Sequence, residues 1–366
     1  MAKTNWPSNR LLDLIGTELP IVQAPMAGAQ GAELAIAVAQ AGGLGSIPCA
    51  MLREEAIRAA VKQLRRASNR PFNLNFFCHR PPEHNDQTEA AWRARLAPFM
   101  AEFGVEPPDK PGTARMPFDE TMCALVEELR PSIVSFHFGL PAPALFGRVK
   151  QTGAVVLASA TTVAEARFLA NAGVDAVIAQ GVEAGGHRGM FLETDIAGQV
   201  GTMALVPQIV DAIDLPVIAT GGIADGRAMA AAMALGASGV QIGTAYLLTP
   251  QSTISELHRG ALRDSSDGDT ALTNVFTGRP ARGLSNRAVQ ELGPMALETP
   301  DFPLAANALA PLRKAAEAQG SADFTPLWSG QAGAMAREID AGELTRKIAD
   351  QALDRLRGLS ALTHSA

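Results

Sequence analysis

Cysteine is scarce in this chain, and a long apolar run is absent. Only 3 cysteines, Cys49, Cys78 and Cys123, occur among 366 residues, and their spacing matches neither a disulfide framework nor a Cys-x-x-Cys metal or redox site. The stretch that comes nearest to a membrane helix, 32–52, is interrupted by polar residues, glycines and Pro48, whereas a span needs about 20 apolar residues. The N-terminal residues lack the apolar segment of a signal peptide. We therefore expect a cytoplasmic protein without a membrane partner.

The chain also lacks an excess of positive charge. Its 31 Lys and Arg residues stand against 37 Asp and Glu residues, so the formal net charge is −6. Because a nucleic acid requires a broad basic surface, we expect no nucleic-acid partner. Aromatic residues make up only 5%, but 47% of the residues are hydrophobic, which is typical of a globular protein with a large core. The length fits one large domain with a smaller appendage.

Eight short apolar segments, each bounded by turn residues, alternate with Ala-rich segments of helical periodicity. Strands are predicted at 20–26, 44–48, 72–77, 133–138, 155–159, 176–180, 217–220 and 239–243. Helices are predicted at 32–40, 54–66, 119–129, 143–150, 163–170, 203–212 and 226–235. Uninterrupted apolar strands are buried on both faces, as in parallel sheets. Eight βα units predict the α/β class and a closed (β/α)8 TIM barrel.

The alternative is a doubly wound open sheet, which normally has a Gly-rich dinucleotide turn after its first strand. The Gly43-Leu44-Gly45 segment precedes a strand rather than a helix, and Pro48 follows where a third glycine belongs. No Gly-Lys dipeptide occurs, which excludes a P-loop. These absences favour the barrel.

Two segments, 80–116 and 262–311, do not follow the βα rhythm and are rich in loop residues, with one helical piece near 90–103. Long insertions in barrels lie over the C-terminal face, where active sites are built. We predict that they form a smaller, mostly helical lid or substrate subdomain. The barrel would then comprise 1–79, 117–261 and about 312–366, including a returning C-terminal helix at about 333–357.

Two glycine loops, 220–226 and 241–244, follow the last two predicted strands. Glycines let backbone amides approach an anion, helix N-termini add partial positive charge, and this is the usual phosphate position in barrels. Ordinary tight turns are the alternative explanation. The candidate residues are Gly221, Gly222, Gln241, Ile242, Gly243 and Thr244.

Two histidines lie at the ends of predicted strands. His187, in a glycine-rich loop beside Arg188, could exchange a proton with a substrate. His137 stands between two phenylalanines and is either a site residue or a hydrogen-bonded core residue. Both are candidate catalytic residues.

Small and polar residues complete the predicted mouth of the barrel. Ala24, Pro25 and Met26 leave backbone edges open to a flat ligand, although methionine is usually a core residue. Asn75 and Gln180 offer amide groups to a heterocycle, and the loop after Gln180 contains Gly185 and Gly186; together these features fit FMN. Cys78, His79 and His84 form only a weak metal pattern, so no metal is predicted.

Seven motifs in this order resemble the nitronate monooxygenases, formerly called 2-nitropropane dioxygenases, and in particular their class I branch. The resemblance covers about 11–333. The motifs are Gln-Ala-Pro-Met at 23–26, Phe-Asn-Leu-Asn at 72–75, Ser-Phe-His-Phe-Gly at 135–139, Gln-Gly-x-Glu-Ala-Gly-Gly-His at 180–187, Thr-Gly-Gly at 220–222, Gln-Ile-Gly-Thr at 241–244 and Phe-Thr-Gly-Arg-Pro-Ala-Arg at 276–282.

The resemblance implies FMN-dependent oxidation of alkyl nitronates by O2 to carbonyl compounds and nitrogen oxides, with propionate 3-nitronate as the typical substrate. It implies that Asn75, Gln180, Gly185, Gly222 and 241–244 bind FMN. It also implies that His187 binds the nitronate oxygens or removes the α proton of a neutral nitro group, with His137 beside the substrate.

Three other functions stay open at this point. FMN-dependent NAD(P)H:quinone reductases and an enoyl-acyl carrier protein reductase resemble the chain in part of the same motifs. A barrel that binds or isomerises a sugar phosphate would need a carboxylate base at a strand end, and it would not explain the amide side chains or Met26. We also expect that the protein can form a homodimer.

Overall fold

The structure, a computed structural model, describes residues 6–83, 85–106 and 116–363. Its centre is a sheet of eight parallel strands. They are β1 (Ile21–Gln23), β2 (Gly45–Pro48), β3 (Phe72–Phe77), β4 (Ile133–His137), β5 (Val155–Ala160), β6 (Ala176–Gln180), β7 (Val217–Thr220) and β8 (Gly239–Ile242). The strand order is β1-β8-β7-β6-β5-β4-β3-β2, and backbone hydrogen bonds of Ile21 and Gln23 with Leu44 close β1 onto β2. The predicted (β/α)8 barrel is confirmed, and the open-sheet alternative is wrong.

The strands form because their side chains are buried on both faces. One set of side chains fills the barrel interior, and Leu11 and Ile15 of helix α1 (Arg10–Ile15) close its N-terminal end. This interior set includes Val22, Leu44, Ile133, Leu157, Ile178 and Ile218. The outer faces pack against the surrounding helices. A closed N-terminal end leaves the C-terminal ends of the strands for a cavity.

The helices that surround the barrel lie close to their predicted positions. They are α2 (Ala32–Gln40), α3 (Glu54–Ala67), α5 (Glu120–Leu129), α6 (Pro143–Gln151), α7 (Val163–Ala172), α8 (Thr202–Ala212), α9 (Gly226–Ala234) and, at the C-terminus, α13 (Ala341–Thr363). α13 packs against α9 and α2 and so occupies the eighth helix position of the barrel.

Three of the predicted boundaries that differ from the structure have a clear physical reason. Helix α13 begins at 341 rather than 333, because the Asp340 carboxylate accepts the amide of Glu343 and starts the helix there, while 333–335 form a separate 3-10 turn. Strand β1 ends at Gln23 rather than 26, where the chain turns over the barrel mouth and the next residues include a proline. Strand β4 ends at His137, because Phe138 adopts a left-handed conformation with φ 70°.

The two segments outside the βα rhythm contain more regular structure than the sequence indicates. Helices α4 (Asp86–Glu102) and α11 (Arg287–Leu292) lie within them, whereas α10 (Glu256–Arg263) and α12 (Leu304–Ala318) cross the two ends of the second segment. Strands Thr270–Thr273 and Ala281–Leu284 form an antiparallel sheet with the short strand Gly186–His187. The sequence predicted loops at 270–284 because these strands are short and their partner lies about ninety residues away.

A second hydrophobic core holds these segments together, and α4 packs on α12 within it. Its buried members are Trp92, Leu96, Met100, Val275, Phe276, Ala288, Val289, Leu292, Ala296, Leu309, Leu312, Ala316 and Phe324. The division into a barrel and a smaller subdomain stays a prediction, and α12 runs through its proposed boundary at 311. Residues 84 and 107–115 of the proposed lid lie outside the described residues. No helix in the described ranges is long and apolar enough to span a bilayer.

Candidate active site

A cavity of about 610 Å³ opens at the C-terminal ends of the barrel strands. All but one of the predicted site residues line it, although they come from segments spread over 220 residues of sequence. The lining residues among them are Ala24, Pro25, Met26, Asn75, His137, Gln180, Gly185, Gly186, His187, Gly221, Gly222, Gln241, Gly243 and Thr244. Ile242 is the exception, because its side chain is fully buried in the barrel core.

The two glycine loops present unpaired amides to the cavity. Within the described ranges, the amide groups of Gly222, Gly243 and Thr244 donate no hydrogen bond. Gly221 and Gly222 have positive φ values of 115° and 69°, which glycine adopts without strain. Unpaired main-chain amides that converge at strand ends suit an oxyanion such as a phosphate.

The sequence predicted that the N-terminus of helix α9 helps to bind an anion, but the structure does not bear this out. The Asp225 carboxylate accepts hydrogen bonds from the amides of Arg227 and Ala228 at 3.0 and 3.2 Å, so a side chain of the protein already satisfies the first turn. The unpaired glycine amides are therefore the groups that an anion would meet.

Two amide side chains lie on the cavity floor. The Oε1 atom of Gln241 is buried and has no hydrogen-bond partner among the described residues. Asn75 donates from Nδ2 to the Ser135 hydroxyl at 2.9 Å, and its neighbour Asn73 donates to the same hydroxyl but lies outside the cavity lining. A buried carbonyl oxygen without a donor is costly, so Gln241 is suited to accept a hydrogen bond from a ligand.

His137 lies between two fixed hydrogen-bond partners. Its Nε2 is 3.3 Å from the main-chain oxygen of His187, and its Nδ1 is 2.6 Å from the Ser159 hydroxyl. A carbonyl oxygen can only accept, so Nε2 carries the proton and Nδ1 accepts from Ser159. Burial, followed by the positive charge of Arg279, lowers the pKa of His137 to about 3. The imidazole is therefore neutral at physiological pH.

Two side chains hold the loop that carries His187. Gln180 donates from Nε2 to the main-chain oxygen of His187 at 3.0 Å and accepts the amide of Gly189 at 2.7 Å. The fully buried Arg188 points away from the cavity and donates to the main-chain oxygens of Gly181 and Gln180 at 2.7 and 2.8 Å. Arg188 thus fixes the loop and is not among the residues that line the cavity.

Thr277 is a site residue that sequence reasoning missed. Its hydroxyl lies 2.9 Å from Nε2 of His187 and 3.3 Å from the main-chain oxygen of Arg279, to which it donates. The Thr277 oxygen can then accept a hydrogen bond from the Nε2–H group of His187, which makes Nδ1 the basic nitrogen of that imidazole. The signal was present in the Phe-Thr-Gly-Arg motif, but nothing local relates that motif to His187.

Sequence reasoning also missed an aromatic wall around His187. The ring centres of Phe302, Trp328, Phe138 and Phe77 lie 5.2, 5.5, 5.9 and 6.4 Å from the imidazole. These residues belong to four different segments, so no motif reveals them. The wall shields the imidazole from water and narrows this part of the cavity.

The cavity is also lined by His258 of α10 and Arg313 of α12. His258 is buried, and its Nε2 has no partner among the described residues. Burial lowers the pKa of His258 to about 4. Neither residue was singled out in the sequence, because each lies in an ordinary amphipathic helix.

Within the described part of the chain, no group of three His, Cys, Asp or Glu side chains could hold a metal ion. His84, the third residue of the weak metal pattern, lies outside the described residues.

Comparisons of the sequence with known proteins give one consistent family. A family model described as nitronate monooxygenase matches residues 8–351. The nitronate monooxygenase of Pseudomonas aeruginosa is 43% identical over 347 residues, which cover 94% of this chain and 99% of that protein. The nitronate monooxygenase of Paraburkholderia phytofirmans is 41% identical over 354 residues, which cover 95% and 96% of the two chains.

Comparisons of the structure agree with this result. A nitroalkane oxidase from Streptomyces ansochromogenes has a TM-score of 0.88 at 39% identity, with 96% of this chain and 99% of that chain covered. FabK from Thermotoga maritima has a TM-score of 0.75 at 28% identity, with 99% and 100% covered. The resemblance inferred from the seven motifs is confirmed, and the chain is an oxidoreductase that belongs to the nitronate monooxygenase family.

Proposed function

We propose that this enzyme oxidises alkyl nitronates with O2 to carbonyl compounds and nitrogen oxides, with FMN as its cofactor. The observation that carries the proposal is that one cavity contains both the unpaired amides of the two glycine loops and the Thr277-bonded imidazole of His187. The first feature suits the phosphate of a cofactor, and the second suits a small substrate that carries or loses a proton. Membership in the family supports the same reaction.

The residues present fit FMN. The amides of Gly222, Gly243 and Thr244 would hold the phosphate, and the unpaired Oε1 of Gln241 would accept a hydrogen bond from the ring system. Ala24, Pro25 and Met26, with Asn75, would border the flat ring, and Gly185, Gly186 and Gly221 would permit its close approach. Bound FMN would take electrons from the substrate and deliver them to O2.

His187 is the residue that we propose to act on the substrate. Because the Nε2–H group of His187 donates a hydrogen bond to Thr277, Nδ1 can remove the α proton of a neutral nitroalkane, and the protonated imidazole can donate to a nitronate oxygen. The aromatic wall keeps bulk water from competing for either hydrogen bond.

For His137 we propose a positioning role rather than proton exchange. Both of its ring nitrogens are engaged, one with Ser159 and one with the main-chain oxygen of His187. Its low pKa also makes it a poor proton acceptor at neutral pH. The residue would lie beside the substrate and hold the peptide from which the side chain of His187 projects.

The experiment that tests the proposal is anaerobic mixing of the purified flavoprotein with propionate 3-nitronate and, separately, with NADH. We expect rapid bleaching of the flavin absorbance by the nitronate and reduction by NADH at least about a hundredfold slower. The reverse order would assign the protein to a nicotinamide-dependent reductase, and a colourless protein that binds no FMN would contradict the cofactor.

The His187→Asn variant separates the two roles of the imidazole. It should retain FMN and lose about 10²–10⁴-fold of its turnover on neutral nitroalkanes, where a general base is required, but much less on preformed nitronates. An equal loss on both substrates would exclude the role of base.

A further inference from the structure

Arg279 is a cation that the reaction described above does not use. It follows Gly278, where φ is 88° and an added Cβ would lie 2.0 Å from the main-chain oxygen of Pro300, so the path of the chain is tightly fixed. The guanidinium carbon lies 4.0 Å from the ring centre of Phe138, and Nη2 donates to the main-chain oxygen of Met190. A stacked guanidinium with a fixed hydrogen bond is held in one orientation.

The charge of Arg279 has no carboxylate partner. Within the described residues it forms no salt bridge, and its buried Nε has no hydrogen-bond acceptor. Burial lowers its pKa to about 10, so the group remains protonated at neutral pH. Glu165 is the carboxylate whose charge acts on it, but that side chain accepts hydrogen bonds from the amides of Thr161 and Phe191 instead. Among the described residues, Arg279 is therefore a buried cation without a carboxylate in contact.

Arg279 stacks on Phe138, which belongs to the aromatic wall around His187. Phe138, on which it stacks, follows His137 in sequence, and its ring centre is 4.4 Å from that of His137 and 5.9 Å from that of His187. Phe138 also has a φ of 70°, an unusual conformation for a residue with a side chain. The stack on Arg279 helps to hold this strained turn and places positive charge next to the site.

We propose that Arg279 is a positioning and specificity residue that makes the cavity wall at the two histidines electropositive, and so favours an anionic nitronate over its neutral nitroalkane parent. The inference rests on the proposed function and adds the physical basis of substrate choice. A charge in a partly buried position acts over several ångströms with little screening by salt, whereas a neutral nitro group offers it only a dipole.

The test compares Arg279→Met, which removes the charge, with Arg279→Lys, which keeps it without the planar stack. The probes are nitrate, a planar anion that is not oxidised, and 2-methyl-2-nitropropane, a neutral nitroalkane without an α proton, which cannot be converted to a nitronate. Isothermal titration calorimetry on the holoenzyme gives both affinities. Arg10→Met, a substitution of an exposed arginine at the N-terminal side of the barrel, controls for net charge.

We expect Arg279→Met to weaken nitrate binding about tenfold or more and binding of 2-methyl-2-nitropropane less than twofold, since the lost charge interacts strongly only with the anion. The same variant should raise the KM for a nitronate while its kcat changes little. Arg279→Lys should keep the ratio of the two affinities within about threefold of wild type, and Arg10→Met should leave both affinities unchanged.

An equal loss of both affinities in Arg279→Met would reduce Arg279 to a structural residue and overturn the proposal. If Arg279→Met does not fold, as judged by circular dichroism, Arg279→Lys tests the proposal instead. A ratio of its two affinities that differs more than threefold from wild type would overturn the proposal. A wild-type enzyme that oxidises no nitronate would contradict the proposed function, while the nitrate titration would still test Arg279.

Discussion

The main-chain oxygen of His187 accepts hydrogen bonds from both Gln180 and His137. At the scale of single residues, this arrangement explains how a loop containing three glycines between 185 and 189 holds the side chain of His187, the proposed catalytic residue, in place. Gly189 is required because an added Cβ would lie 2.8 Å from both His137 and Ser159. The loop is thus ordered by side chains that lie outside it, and its glycines allow the close contact.

Thr277→Val should remove the hydroxyl that accepts a hydrogen bond from Nε2 of His187, while keeping the shape of the side chain. The loss of one such hydrogen bond typically corresponds to about 0.5–1.5 kcal/mol. We therefore expect kcat/KM on neutral nitroalkanes to fall by up to about tenfold, with a shift of the apparent pKa in the pH profile of kcat/KM. Thr277→Ser retains the hydroxyl and should behave like wild type. An unchanged pH profile in Thr277→Val would show that the hydroxyl does not set the protonation of His187.

Gly243→Asp should weaken the retention of FMN, because its carboxylate would lie close to the phosphate. Like charges so placed raise the free energy of binding by about 1–4 kcal/mol. Gly243 has a negative φ of −116°, and an added Cβ would make ordinary contacts of 3.4 and 3.6 Å with Ala24 and Met26. Gly243→Ala is therefore a matched control that should keep its flavin. The flavin absorbance per protein after gel filtration measures both, and a normal value in Gly243→Asp would contradict the phosphate assignment.

At the scale of elements, the barrel is completed by α13, the last helix of the described chain. Its approach to α9 is so close that an added Cβ at Gly226 would lie 2.3 Å from Cβ of Gln351 and 2.5 Å from the amide nitrogen of Ala352. The buried residues Leu344, Ile348 and Ala352 of α13 belong to the same core as the barrel helices. The C-terminal helix is therefore part of the barrel rather than an appendage.

Gly226→Ala should destabilise the protein, although alanine normally favours a helix. Overlap with the backbone of α13 should lower the free energy of unfolding by about 1–3 kcal/mol. Gly147 in α6 has open space within 4 Å of an added Cβ, so Gly147→Ala should instead stabilise by about 0.5–1 kcal/mol. Urea unfolding followed by circular dichroism compares the two. Equal effects of the same sign would mean that α13 does not pack on α9 in this way.

At the scale of the whole molecule, the barrel and the second core share the walls of one cavity. Phe276 and Leu309 belong to the second core and also line the cavity, whereas Gln180 and Gln241 line it from the barrel. The site loop itself pairs with Ala281–Leu284, a strand outside the barrel. A disturbance of the second core should therefore reach the active site even when the barrel stays folded.

The stability of the whole molecule should fall on mild acidification. His137 and His258 have pKa values of about 3 and 4 in the folded protein, below their ordinary value of 6.5. The unfolded chain thus binds more protons below about pH 6.5, and the stability present above that pH is progressively lost as the pH falls toward these values. At pH 5 the low pKa of His137 reduces the free energy of unfolding by about 2 kcal/mol relative to neutral pH.

His137→Gln should reduce this acid sensitivity, because glutamine does not titrate. We expect the fall in urea midpoint between pH 7.5 and pH 5 to be smaller in the variant than in wild type, and His258→Gln to act in the same direction. Identical pH dependence in wild type and both variants would mean that neither imidazole is held neutral by the fold.

The sequence by itself determined the barrel, the glycine loops and about a third of the residues that line the cavity. Each of these depends on local pattern, because buried parallel strands are continuously apolar, and strand ends in a closed barrel must converge on one face. Ile242 was assigned to the site only because it stands between Gln241 and Gly243, and the alternation of strand faces turns its side chain into the core.

Only the tertiary structure decided which groups contact the two histidines. Thr277 and His187 are 90 residues apart in sequence, and Phe138 meets Arg279 across the space between a barrel strand and an inserted segment. His137 could be a core residue or a reactive one until its two hydrogen-bond partners were known. Such contacts depend on how separate elements pack, and no local periodicity or motif spacing encodes them.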